Sequence, residues 1–193
     1  VPTSPVLSRL IERVVPARLG RPYRHLLVSS TITNIGDRIG LAAGPLLIAA
    51  LTRDPFLVAL APTLRLLPWL IFGLYAGVLA DRLDRRWLMI TANLGRLLAG
   101  GVLVAALALD RVSIPLVLAV VFVAGVAETF ADTAGSTLVP MLVENEDIGL
   151  ANARLLAGHT TLNQLVGPPL GAFLFAVGML YPFAAELVGL ALA

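Results

Sequence analysis

Five stretches of this chain, residues 26–51, 55–80, 87–109, 113–143 and 148–178, are apolar over lengths that cross a lipid bilayer. About 20 residues suffice, because an α-helix rises about 1.5 Å per residue against a hydrocarbon layer of about 30 Å. That layer offers a backbone no hydrogen bonds, so a segment within it has to satisfy its own N–H and C=O groups, and a helix does so. A further apolar stretch, 182–193, reaches the last residue before completing a span, and the expectation is a sixth helix cut short. The fold class that follows is all-α: a polytopic membrane helix bundle over residues 25–193, preceded by a basic segment, residues 1–24.

Composition agrees. Hydrophobic residues make up 58% of the chain and charged residues 13%, against roughly 25% charged in an ordinary globular domain. All 14 basic residues are arginine, yet the net charge is only +2 and the arginines gather beside apolar segments. They read as topology anchors and not as a nucleic-acid surface. Cysteine is absent, and His25 and His159 stand apart, so no metal site, cofactor site or enzymatic centre is expected.

Arg9, Arg13, Arg18, Arg21 and Arg24 precede the first apolar segment, and Arg82, Arg85 and Arg86 fill the gap between the second and third. Arg53 and Arg111 stand alone in the alternate gaps. Arginine is retained on the cytoplasmic side, so the amino terminus is expected there. Glu144, Glu146 and Asp147 fall on the same side and are expected to pair with Arg82, Arg85 or Arg86. Between Ser4 and Pro16 the pattern fits two readings, a short amphipathic helix lying among the lipid headgroups or a disordered basic tail.

Charges inside the spans cost roughly 2.5–3.5 kcal/mol each near mid-bilayer, so they must face one another or a cavity. Asp37 and Arg38 lie in the first segment, Arg65 in the second, Arg96 in the third, and Glu128 and Asp132 in the fourth. Glu128 and Asp132 share a helical face one turn apart, an arrangement suited to gaining and losing a proton. Two readings stay open: the six charges neutralise one another and hold the bundle together, or they form a proton-coupling and substrate cavity. In the fifth segment His159, Thr160, Thr161, Asn163 and Gln164 form a polar run, open to the same two readings of interhelical bonding or substrate contact.

Glycines recur every fourth residue at Gly36, Gly40 and Gly44, at Gly73 and Gly77, and at Gly167 and Gly171, a spacing that lets helices approach closely. Asp37, Gly40 and Pro45 have the same spacing as Asp132, Gly135 and Pro140. This is the echo expected of a three-helix repeat in which helices one and four are equivalent with inverted orientation.

The loop from Gly77 through Leu79, Ala80, Asp81 and Arg82 to Arg85 and Arg86 resembles G-x-L-A-D-R-x-G-R-R, the signature between the second and third helices of the major facilitator superfamily of transporters. Asp84 stands where that pattern has its second glycine. Gly167, Pro168 and Gly171 resemble the G-P-x-x-G-G element in the fifth helix of the superfamily's exporters, with Ala172 replacing the final glycine. The run from Arg65 through Pro68 and Trp69 to Gly73 is similar to the branch of enterobactin exporters and macrolide efflux proteins.

The resemblance implies the amino-terminal half of a facilitator, six helices in two inverted three-helix repeats, facing a missing carboxy-terminal half across a central cavity. It implies a gate at Gly77, Asp81, Arg82, Arg85 and Arg86 and an export-type element at Gly167, Pro168 and Gly171. The expected function is proton-driven export of a small organic molecule, drug- or siderophore-like, by alternating access in a bacterial plasma membrane. The expected partners are the substrate, the lipid bilayer and the proton gradient. An importer, or a scaffold or signalling bundle that transports nothing, is the alternative.

Overall fold

The computed structural model describes residues 17–136 and 138–192, and every regular element among them is helical. A 3-10 turn, Ala17–Leu19, leads into α1 (Gly20–Leu51) through Gly20, whose φ of +79° would strain any residue with a side chain. The helix therefore starts six residues before the apolar stretch and carries Arg21 and Arg24 on its first turns. Asp54 caps α2 (Pro55–Arg82): its Oδ1 accepts the Phe56 N–H at 2.9 Å, while Pro55 fills the first position, where an N–H has no use. Asp84 does the same for α3 (Arg85–Ala108), accepting from the Arg86 N–H at 2.9 Å. The residue that departs from the loop signature is thus a helix cap.

Prolines divide the later segments. The stretch 113–143 folds as α4 (Ile114–Ser136) and the single turn α5 (Val139–Leu142). Pro140 has no N–H for the carbonyl of Ser136, four residues earlier, and α4 stops there. The stretch 148–178 follows a 3-10 turn, Asn145–Asp147, and divides into α6 (Ile148–Thr161), a π-turn (Leu162–Val166) and α7 (Gly167–Val177). Pro168 and Pro169 withhold N–H groups from the carbonyls of Gln164 and Leu165, so the ladder widens just before them. The last helix is α8 (Tyr181–Leu192). The amphipathic helix expected before Pro16 lies outside the described residues.

By length and composition α1 to α4 are able to cross a membrane, whereas Gln164–Val177 and α8 are apolar but shorter. Lipid accounts for the outward apolar surface: Leu66, Leu70 and Leu74, one turn apart on α2, are 67%, 77% and 83% exposed. α4 lies along α2 and α3, and α1 lies along α7 and α8. One end of the bundle is an apolar core around Ala43, Leu47, Ile48, Leu103, Val117 and Phe183; the amino-terminal end has a smaller one around Leu19, Tyr23, Leu27, Val139 and Ala151.

Glycine contacts place α4 and α7. A Cβ on Gly125 would sit 2.6 Å from the Arg65 carbonyl oxygen, and one on Gly171 would sit 2.7 Å from that of Ile39. Gly73 and Gly77, by contrast, have nothing within 4 Å, so their spacing marks no helix contact among the described residues. Gly125→Ala is expected to destabilise the folded protein by about 1–3 kcal/mol through overpacking, and Gly73→Ala to change it by less than about 0.5 kcal/mol. Thermal unfolding in detergent, comparing the two variants with the parent, checks this; equal midpoints would show that the α2–α4 contact is looser than described.

Candidate functional site

Five helices each bring one charged side chain to the middle of the bundle. Asp37 of α1 and Arg96 of α3 are both buried and pair directly, Arg96 Nη2 donating to Asp37 Oδ1. Arg65 of α2 reaches three carboxylates at once. Its Nε and Nη2 both lie 3.1 Å from Oε2 of Glu128 on α4, and Nη2 is also 3.6 Å from Glu186 on α8 and 3.7 Å from Asp37. A guanidinium suits this place because its five N–H donors form a planar fork that several acceptors can share. Glycine makes the approach of α8 feasible: Gly36 and Gly40 of α1 face Glu186, and a Cβ on Gly40 would collide with the Glu186 carboxylate.

Beside this centre, toward the amino-terminal end, lies a cavity of about 430 Å³ between α1, α3, α4, α5 and α6. Asp37 and Arg96 form part of its floor, and Ser30, Asn34, Asn93 and Asn152 supply polar groups to its wall. Asp132 is exposed to it and makes no ion pair with an arginine among the described residues. The buried Oδ1 of Asn93 likewise has no hydrogen-bond partner. On the other side of the centre a smaller space of about 40 Å³ is bounded by Arg65, Arg96, Phe183 and Glu186.

Of the charges singled out in the spans, Asp37, Arg65, Arg96 and Glu128 come together, and Asp132 stands one turn along α4, facing the cavity. Arg38 does not join them. It lies under α7, where a Cβ on Gly167 would meet its side chain, and its buried Nε has no partner. Glu186 is the member that the spans' balance of three cations and three anions overlooked. Its signal was the same as for the others, a lone carboxylate in an apolar stretch. Gln164 is exposed in the π-turn and does not line the cavity, while the side chains of His159, Thr161 and Asn163 lie outside the described set. Gly167 and Gly171 serve as the contact of α7 on α1. Among the described residues no cluster is suited to hold a metal ion.

The loop residues stand at the amino-terminal end. Arg85 donates to the Ala80 carbonyl at 3.2 Å and to Met141 Sδ at 3.4 Å, and its guanidinium is 4.0 Å from the largely exposed Asp81. Arg82 and Arg86 are exposed. The acidic turn pairs elsewhere than expected: Asp147 meets Arg18 at 2.7 Å, because Tyr23 of α1 donates to the Ala151 carbonyl and draws α6 against the start of α1.

The family model described as transmembrane secretion effector matches residues 16–192. An uncharacterized MFS-type transporter of Mycobacterium tuberculosis is 31% identical over 163 residues, 83% of this chain and 35% of that protein. Macrolide efflux protein A of Streptococcus pyogenes is 29% identical over 130 residues, 65% of this chain and 31% of that protein; its namesake in Enterococcus faecalis is 30% identical over 115 residues, 58% and 34%. The chain thus spans about a third of the length of these curated relatives. No solved structure matches it.

Removing one partner of a buried ion pair strands the other, at a cost of about 3–5 kcal/mol. Asp37→Asn and Arg96→Gln are each expected to lose stability on that scale, and the double variant to recover more than half of it. Unfolding midpoints in detergent for the three variants provide the check, with strict additivity arguing against the pairing.

Proposed function

The chain belongs to the transmembrane secretion effector family of MFS transporters, and from that premise we propose that it exports a small organic molecule, driven by protons, across a bacterial plasma membrane. The observation that carries this reading is the charge count at the centre. Asp37, Glu128 and Glu186 bring three negative charges to the two positive charges of Arg65 and Arg96. A surplus charge is costly in the middle of a membrane bundle, and a proton bound to one of the carboxylates balances it.

Arg65 is the element that would feel the proton come and go. It is shared between Glu128 on α4 at 3.1 Å and Glu186 on α8 at 3.6 Å. A proton on Glu128 weakens the first contact and leaves the guanidinium to Glu186; a proton on Glu186 does the reverse. The exchange shifts the attraction of α2 from α4 to α8, a differential interaction of the kind that moves a two-state equilibrium. The cavity whose floor includes Asp37 and Arg96 is where substrate binding would be linked to the same centre. The macrolide efflux relatives favour export as the direction, and the arginine-rich end of the bundle is the cytoplasmic one in this reading.

Glu128→Gln and Glu186→Gln, made separately, are expected to abolish proton-driven accumulation in inverted vesicles while substrate exchange without a gradient persists. Loss of both activities together in each variant would assign the glutamates to structure or substrate binding instead.

Asp81 supplies the second test. It is 77% exposed, and among the described residues a 4.0 Å contact with Arg85 is its one ion pair, so its charge adds at most about 0.5 kcal/mol to this part of the fold. Such an exposed anion is available to close the gate against cytoplasmic helix ends. Asp81→Asn is expected to leave the melting midpoint unchanged and to lower turnover at least about fivefold, the effect of about 1 kcal/mol on a two-state equilibrium. Initial transport rates at matched expression are the measurement; parental rates would remove the gating role.

A further inference from the structure

The smaller space touches the charged centre from the side opposite the cavity. Arg65, Arg96 and Glu186 supply its polar wall, and Leu103, Val120 and Phe183 belong to its apolar one. Two glycines make room there: a Cβ on Gly40 would collide with the Glu186 carboxylate, and one on Gly100 would sit 3.2 Å from Leu187 Cδ1. The volume of about 40 Å³ exceeds the roughly 10–15 Å³ that one buried water requires. Such a water also needs polar partners, and here two guanidiniums offer N–H groups and one carboxylate offers an acceptor. Arg96 is well supplied for this, since a guanidinium has five N–H donors and among the described residues Asp37 is the one acceptor to which it donates. Past this space the bundle is dry. Leu103, Val120 and Phe183 are buried, and Leu47, Ile48 and Val117 of the same apolar core are buried completely. Phe183 stands one turn before Glu186 on α8, and Leu103 two turns beyond Arg96 on α3, so both lead from the centre into that core. An apolar constriction excludes water, and a proton that travels along hydrogen-bonded groups stops with it.

We propose that Leu103, Val120 and Phe183 form a proton seal between the charged centre and the end of the bundle away from the arginines, and that the small space is a water site on Glu186 just inside that seal. The proposal rests on the proton-driven reading for its purpose, but the seal itself requires only that protons do not pass. With the seal intact the centre exchanges protons through the cavity alone, so that no proton crosses outside the cycle. With the seal broken, water files through the apolar core to the small space. A proton then passes from that water to Glu186, the carboxylate becoming a carboxylic acid. It leaves again by way of Asp37, which stands like Glu186 within 4 Å of Arg65 Nη2 and forms part of the cavity floor. Glu186 and Asp37 both return to their starting state, and the net change is one proton moved across the bundle.

Proton permeation is measured with the full-length protein in liposomes that contain pyranine, after an acid step, with valinomycin and potassium clamping the potential and no substrate present. The parent is expected to be as tight as protein-free liposomes. Leu103→Ala and Phe183→Ala should each raise the rate at least about tenfold, which corresponds to about 1.4 kcal/mol off the barrier. Adding Glu186→Gln to either variant should return the rate to the parental level, because an amide cannot carry the proton onward. Leu27→Ala, a truncation of the same kind in the smaller core at the amino-terminal end, should stay tight. Val120→Thr keeps the size of the side chain and adds a hydroxyl that wets the constriction. It too should leak, and it carries the test should the alanine variants fail to fold by size-exclusion profile.

A leak in the parent, parental tightness in the folded seal variants, a leak that survives Glu186→Gln, or an equal leak in Leu27→Ala would each overturn the seal. A leak that depends on Glu186, in a protein whose parent shows no gradient-driven export, would leave the seal standing and overturn the export reading. Gradient-driven export by the parent together with tight seal variants would overturn the seal alone.

Discussion

The buried pair of Asp37 and Arg96 holds the arrangement of the rest. Each charge by itself would cost several kcal/mol inside a bilayer, and their mutual contact joins α1 to α3 across a chain separation of 59 residues. Arg65 then ties α2 to α4 over 63 residues and to α8 through Glu186. Five helices therefore share one charged centre. In a membrane, where apolar side chains gain little by leaving lipid for protein, polar contacts and close packing decide how helices associate.

Close packing is also what brings those charges within reach. Gly125 lets α4 lie against the Arg65 backbone, and that places Glu128 beside the guanidinium. Gly36 and Gly40 open a slot on α1 that the Glu186 backbone and carboxylate occupy. The apolar core beyond the centre, built on Leu47, Ile48, Val117 and Phe183, closes one end of the bundle, whereas polar side chains line the cavity at the other. The two ends thus differ, one packed with apolar side chains and the other holding a space with polar walls.

The relatives and the geometry bear on different links. The family match places the chain among MFS transporters, and the macrolide efflux relatives belong to the branch that the run from Arg65 to Gly73 resembled. The loop itself is a modest contributor to this fold: Arg85 anchors to Ala80 and Met141, and Asp81 remains exposed. Its charges are directed outward at the arginine-rich end, where they add little to the stability of this fold.

Sequence alone determined the elements and the constraint on them. Apolar length implied helices, and the insertion cost of charge required Asp37, Arg65, Arg96 and Glu128 to find partners inside the bundle. Tertiary structure decided the pairings, because these depend on the rotation and close approach of helices that are far apart in the chain. Adjacent residues on a helix point about 100° apart, so Asp37 turns to the centre while Arg38 turns beneath α7. Glu186 sat in a stretch short enough to pass for an incomplete span, yet Gly36 and Gly40 of α1 give it a place in the centre. Asp132, a turn from Glu128 and alike in sequence, is left facing the cavity because Arg65 comes up beside Glu128, at the level of Gly125.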